Sequence, residues 1–517
     1  MGATVIHDAI VLMVVLPMVA GIVGLVTRRS PRLQRALVGG LLGLCAVSGV
    51  WMLRQLDPGG EFVSFVGNWP PPYAITIVFD ALSGVLMTVS ACVGLCCIVN
   101  SYGERGDAFG LSWLPPLIAM LIFGVNFSFL TGDLFNLFVA FEIMLMASYA
   151  LALRNATPEG VKQAHKYVVV NLFASAMFVL AAGMTYGVTG TLNLADLAGY
   201  LDRTPDVPVA FGAAGVMLLF VFTLKAALFP LWFWLPDTYH TMPAAVGGVF
   251  AALLSKVGMY AVIRVIPATF GGLESLPLDE ILWVMAGLTM LLGGLCALGV
   301  PTLRRVMSFV LIAHMGYALF MVSLGTPGSY AAAGFLLAQE MFVIAGLYTV
   351  GAACVRHAGT DDLRRIAELH REMPTLAWLA LVLTVAGAGL PPTAAFVAKA
   401  WIVQEGVRAE AWTLLALMLV SALLMLLALV RAWAAAFWRL RASTPEMAVA
   451  RRGSARWATA SCALLVLGVI VMSVRADVLH ALMVDAGQRI ASPDRDLGGV
   501  YTPPEPKKTT GEKERHP

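Results

Sequence analysis

The sequence predicts an all-α polytopic membrane protein of about fourteen transmembrane helices, and three observations point to that class. Of 517 residues, 59% are hydrophobic and 13% charged, about half the charged share of an ordinary soluble domain. Apolar runs of about 20 residues recur along the chain, each long enough to cross a hydrocarbon core of ~30 Å. Lys and Arg then alternate between connections, nineteen on one side against four (Arg54, Arg203, Arg264, Arg408) on the other. A missed helix would scramble that alternation. Positively charged loops stay inside, so the rich loops are expected to be cytoplasmic, with both termini external.

The spans are expected at 5–26, 36–55, 75–99, 112–130, 134–153, 164–187, 208–236, 243–264, 279–299, 302–323, 331–354, 376–408, 411–438 and 457–475. Residues 1–111 hold the first three. His7 and Asp8, not a basic stretch, precede the first, so it reads as a retained span and not a leader. The loop at 57–74, "DPGGEFVSFVGNWPPPYA", has a Gly pair, an alternating stretch and a triple proline, and reads as a short external β-hairpin. Spans 4–8 (112–264) and 9–13 (279–438) form two halves of five. One final span follows, and from 476 to 517 the chain reads as a polar external tail, disordered when alone.

The net charge of +3 says little, because its distribution decides. The seven cysteines all fall in or beside apolar segments, and the one cluster, at 92 to 97, lacks zinc or iron–sulfur spacing. No G-x-G-x-x-G follows a strand. No cofactor, metal or nucleic-acid partner is expected.

Three lysines, Lys225, Lys256 and Lys399, and two acids, Glu142 and Glu340, lie well inside apolar spans. A charge at mid-bilayer costs at least ~2.5–3.5 kcal/mol, so such residues face a bundle interior or a wet path and mark function. The bland alternative is a buried ion pair that only ties helices together. Five such groups on five spans favour function. Neighbouring lysines and carboxylates set one another's proton affinity and so can pass protons. His314, on the tenth span, suits a relay or serves as a satisfied core histidine. Asp80 and Asp133 sit at helix starts as caps. His165 and Lys166 read as snorkelling groups. Asp237 and His240 follow the seventh span at the inner surface.

Two spans are interrupted. In "FTLKAALFPLWFWLPD" (222–237), Pro230 follows Lys225, and Pro236 ends the span. In "TVAGAGLPPTAAFVAKAWIV", Pro391 and Pro392 follow Gly387 and Gly389 and precede Lys399. A helix broken at membrane depth is tolerated only where its freed backbone lines a cavity or is covered by protein. Interrupted segments at corresponding places in two halves mark inverted-repeat transporters.

The stretches "FEIMLMASYAL", "HKYVVVNLFASAMFVLAAGMTYGVTGTLNLADL", "LKAALFPLWFWLPDTYHTMPAAVGGVFAALLSKVGMYAVIRV", "FVLIAHMGYALF" and "LPPTAAFVAKAWIV" resemble the antiporter-like subunits of the complex I superfamily. The resemblance covers about residues 75 to 440, and "YGVTGTLNLADL" and "FEIMLMASYAL" pull towards the D subunits of Mrp-type multisubunit Na⁺/H⁺ antiporters. It implies fourteen helices, two inverted five-helix repeats, broken seventh and twelfth helices and protons moving along a central polar axis. It implies Glu142, Lys225, Lys256 and Lys399 as path residues, with Glu142 and Lys225 an ion pair that opens and closes, and matches His314 to the family's histidine. Glu340 receives no role. The function so implied is proton translocation within a hetero-oligomer with other hydrophobic subunits, exchanging H⁺ for Na⁺ or another monovalent cation. The alternative is a pumping subunit of a quinone reductase or membrane-bound hydrogenase, with the redox chemistry elsewhere. A freestanding solute carrier lacks a substrate-pocket signature.

Overall fold

The computed structural model describes residues 3–69, 75–104, 108–154, 157–204, 207–271, 277–440 and 455–491. Helices α1 (Ala3–Val26) and α2 (Pro31–Gln55) lead into a hairpin of β1 (Phe62–Phe65) and β2 (Thr76–Phe79), then α3 (Ala81–Ser101). The first half follows: α4 (Ala108–Leu130), α5 (Leu134–Leu153), α6 (Pro158–Thr189), the short α7 (Leu194–Ala198) and α8 (Tyr200–Arg203), α9 (Val209–Lys225), α10 (Trp234–Tyr239) and α11 (Ala244–Phe270). The second half is α12 (Leu278–Gly299), α13 (Leu303–Leu324), α14 (Pro327–Ala358), the short α15 (Leu369–Glu372), α16 (Pro374–Ala388), α17 (Ala394–Arg408) and α18 (Trp412–Phe437). Helices α19 (Arg456–Val474) and α20 (Ala476–Ala491) close the described chain. Twelve of the described helices are long and apolar enough to cross a membrane. Two shorter apolar helices, α9 and α16, open the interrupted segments α9–α10 and α16–α17.

The hairpin forms, but from other residues than expected. Phe62 pairs with Phe79 and Phe65 with Thr76, so its second strand takes residues that hydropathy assigned to the third span. Asp80 is the reason. Its carboxylate accepts from the Ser83 amide and the Ser83 hydroxyl answers to the Asp80 backbone, a capping box that starts α3 only at Ala81. The triple proline at 70–72 lies outside the described residues.

A second correction concerns the polar tail. Residues 476–491 are not an irregular segment: they form α20, whose Leu479, Met483, Ala486, Gly487 and Ile490 are buried. That spacing is one face of a 3.6-residue helix, docked on the start of α14, where Gly487 abuts Pro327 and Met483 abuts Gly334. The rest of the tail, 492–517, lies outside the described residues.

The arginine-rich connections gather at one end. Arg154 reaches Glu104 at 3.9 Å, Lys166 and Arg305 both hold Asp237 at 3.0 and 3.1 Å, Arg304 holds Asp361 at 3.5 Å, and Tyr102 stacks on Trp457. Burial pushes the Asp361 carboxyl up although Arg304 opposes it. The hairpin and the arginine-poor connections gather at the other end, where Arg489 pairs with Glu61 at 2.9 Å and Arg264 pairs with Asp80. Burial alone would push the Asp80 carboxyl up; Arg264 and Ser83 outweigh it and hold it below the ordinary carboxylate range.

The halves repeat one packing plan. In the first, α4 packs on α5, α5 on α6, α6 on α9 and α10, and α11 on α9 and α4; in the second, α12 packs on α13, α13 on α14, α14 on α16 and α17, and α18 on α16 and α12. The broken helix of the first half runs from the hairpin end to the arginine-rich end. That of the second runs the opposite way. Helix α14 is buried throughout its apolar length and packs on α11, α13, α16, α17, α19 and α20.

Candidate functional site: a buried axis of lysines, glutamates and a histidine

Each break is built by its own sequence. After Lys225 the chain turns through Ala227, at φ 56°, and crosses a cis Phe229–Pro230 bond before α10 begins. In α16–α17 the turn falls at Gly389, φ 72°, followed by a cis Pro391–Pro392 bond. Proline supplies no amide for the helical ladder, so both breaks lie where the prolines are. At the first, the indole nitrogen of Trp234 donates to the Leu224 carbonyl at 3.1 Å, covering a backbone group freed by the break.

The centre lies between the breaks. Glu340 on α14 is fully buried, and its Oε1 is 3.5 Å from Lys256 Nζ of α11 and 3.0 Å from His314 Nδ1 of α13. One carboxylate oxygen thus serves an ammonium and an imidazole. Because Nδ1 faces an acceptor, its proton is assigned there, which leaves Nε2 as the lone-pair nitrogen. Neither His314 Nε2 nor Glu340 Oε2 has a hydrogen-bond partner in the described protein. The His314 ring lies 5.6 Å from that of Tyr317, and Lys399 Nζ lies 5.5 Å above the same Tyr317 ring. Lys399 also donates to the Ala388 carbonyl at 2.7 Å, folding back across Gly389, where a Cβ would come within 2.9 Å of Nζ. Lys256, Glu340 and His314 are therefore in direct polar contact, and the Tyr317 ring lies beside both His314 and Lys399.

Glu142 and Lys225 form the other end. Glu142, half-buried on α5, accepts a hydrogen bond from Ser175 of α6. Lys225 Nζ, 4% exposed as a residue, has no hydrogen-bond partner and sits 5.1 Å over the Phe141 ring. The ion pair that the resemblance implies between them is not made, because Glu142 is turned to Ser175. Lys225 is tied to the centre through backbone. Gly258, two residues from Lys256, packs on the first break so closely that a Cβ would lie 2.5 Å from the Ala226 nitrogen.

Four of the five sequence-predicted path residues, Lys225, Lys256, His314 and Lys399, are thus buried in the bundle, and Glu142 is half-buried. Glu340, given no role from sequence, joins two of them directly. Its presence in an apolar span was the available signal, and its partners lie on helices that a linear reading cannot place together. Among the described residues no group of three or more His, Cys, Asp or Glu side chains could hold a metal ion. Buried bases sharing one carboxylate are chemically able to exchange protons, because the charge on each sets whether its neighbour holds or yields a proton.

The sequence model of the family described as NADH:quinone oxidoreductase/Mrp antiporter, transmembrane region, matches residues 131–425. The D-type subunit of the Na⁺/H⁺ antiporter of Alkalihalophilus pseudofirmus is 33% identical over 446 residues, 86% of this chain and 89% of that protein. The D-type subunit of a probable K⁺/H⁺ antiporter of Rhizobium meliloti is 33% identical over 417 residues, 73% and 76% of the two chains. Among solved structures, a chain of the Mrp complex from Dietzia sp. DQ12-45-1b superposes with a TM-score of 0.85 at 27% identity, covering 95% of this chain and 98% of that one. A chain of a membrane-bound sulfane sulfur reductase superposes at 0.83 with 24% identity, covering 94% and 98%, a likeness of fold alone.

Proposed function

The chain belongs to the NADH:quinone oxidoreductase/Mrp antiporter transmembrane family, and from that premise we propose that it is the proton-translocating subunit of a multisubunit monovalent cation/H⁺ antiporter. Protons move along Lys225, Lys256, Glu340, His314 and Lys399, with Glu142 biasing the first lysine. One observation carries the reading: Glu340, fully buried, holds Lys256 and His314 on a single oxygen, in a bundle whose two broken helices each bear a lysine. A group meant only to tie helices would be fully paired, yet Lys225 Nζ, His314 Nε2 and Glu340 Oε2 are not. The relatives are named as D-type antiporter subunits, which favours an antiporter over a redox pump, with other hydrophobic subunits as partners. Na⁺ is the first cation to assay and K⁺ the second.

The proposed orientation places the arginine-rich end in the cytoplasm, with both termini external. The five path residues divide between units 112–264 and 279–438. In vesicles holding the assembled complex, Lys225→Ala or Glu142→Gln should abolish cation-dependent proton flux while the protein still inserts and assembles. Full antiport in either variant sinks the reading. Lys399→Ala should slow flux as well; loss of assembly there would assign that lysine a structural role.

A further inference from the structure

The second half opens to solution at the hairpin end through a cavity that includes none of the path residues. Its volume is about 280 Å³, and Gln404, Glu405 and Arg408 of α17 face His480 and Gln488 of α20 across it. Trp401, Glu405 and Arg408 share one face of α17, four and three residues apart, as His480, Val484 and Gln488 share one face of α20. The two faces meet: the His480 ring stacks on Trp401 at 4.1 Å and 27°. The stack is not itself a closure, because His480 and Gln488 are exposed.

Glu405 is the buried member. Its side chain is 6% exposed and its carboxylate takes Arg408 at 2.7 Å, whereas Arg408 is 64% exposed. The carboxylate fits against Gly328, in the first turn of α14, where any Cβ would collide with it. Along the same seam, nearer the break, the Ser473 hydroxyl of α19 accepts the Ala394 amide at 2.8 Å. Ala394 is the first residue of the segment that carries Lys399. The seam between α17 and the terminal helices thus has a polar contact near the second break and another at the cavity.

The inverted plan supplies an independent check. At the other end of the molecule the first broken helix also finishes on a carboxylate, Asp237, held by Lys166 of α6 and Arg305 of α13. In the repeat α6 corresponds to α14, so both acids sit beside the same element of their halves at opposite ends.

We propose that Glu405 and His480 form the outer proton port of the second half, with α20 as one wall. The inference rests on the antiporter reading. The Lys399 ammonium gives up one proton and becomes an amine; water in the seam carries it; the Glu405 carboxylate takes it, and His480 or open water removes it. Position 480 lies outside the family match at 131–425.

The assembled complex in vesicles tests it. Glu405→Gln should lower cation-driven proton flux about tenfold or more, the scale of a lost proton-transfer group, with assembled complex unchanged in amount. His480→Phe keeps the stack on Trp401 and should lower flux less, about threefold. In His480→Cys, a membrane-impermeant cationic methanethiosulfonate should label the new thiol, with slowed flux, only when added at the face opposite the arginine-rich loops. Unchanged flux in Glu405→Gln, or labelling from the arginine-rich face, overturns the port. Lys225→Ala in parallel separates the two ideas. Its inactivity beside a fully active Glu405→Gln removes the port alone, whereas full antiport in Lys225→Ala removes the antiporter reading as well.

Discussion

The two broken helices carry out the same departure from helical geometry with different materials. In the first half the lysine precedes the break, has no hydrogen-bond partner and lies over an aromatic ring; the left-handed turn is made by Ala227. In the second half the lysine follows the break, folds back over a glycine and is fixed on a carbonyl. The acids differ too. Glu142 leans on one serine, whereas Glu340 binds two bases at full burial. The first half is the looser, and its lysine has the fewer bonds to break when it changes partner. The difference separates a site built to move from one built to hold.

The largest effect that would sharpen this contrast is on Glu340. Removing one partner of a buried charge pair costs about 3–5 kcal/mol, so Glu340→Gln should abolish flux and lower the melting temperature of the purified complex. Glu142→Gln should abolish flux and leave melting almost unchanged. Equal melting in the two variants would break the comparison. Next comes Gly389→Ala. A left-handed residue with a Cβ costs about 1–2 kcal/mol, and this Cβ would also displace Lys399, so flux should fall more than stability alone explains. Wild-type flux would show that the folded-back lysine is dispensable. The smallest effect is expected at Ala227→Gly, which relieves the same strain but adds freedom to the unfolded chain. The net gain should be about 0.5 kcal/mol, seen as a slightly raised melting temperature.

Local signals made most of the fold legible. Span positions follow from runs of apolar residues, the breaks from Pro230, Pro391 and Pro392, and the sorting of loops to two ends from their arginines. Signals that depend on partners were not legible. Ile77, Val78 and Phe79 are as apolar in a strand as in a helix, and only the Asp80–Ser83 cap decides the matter. Helix α20 escaped because Asp477, Asp485 and Arg489 lower its hydropathy, although Leu479, Met483, Ala486 and Ile490 carry the helical period. The site divides the same way. Each misfit charge is visible singly in the sequence, but that Glu340 stands between Lys256 and His314 is a fact about three helices.

The shared carboxylate has a consequence for traffic. Four bases, Lys225, Lys256, His314 and Lys399, face two acids, Glu142 and Glu340, so protonating all four bases while both acids stay ionised would leave two uncompensated positive charges (four minus two). Such an excess is costly at low dielectric. The axis therefore has a fixed capacity, like a queue with fewer places than customers. On the proposed path, a proton entering at one lysine would raise the cost of the one already on the next, so that admission at one end would oblige departure at the other.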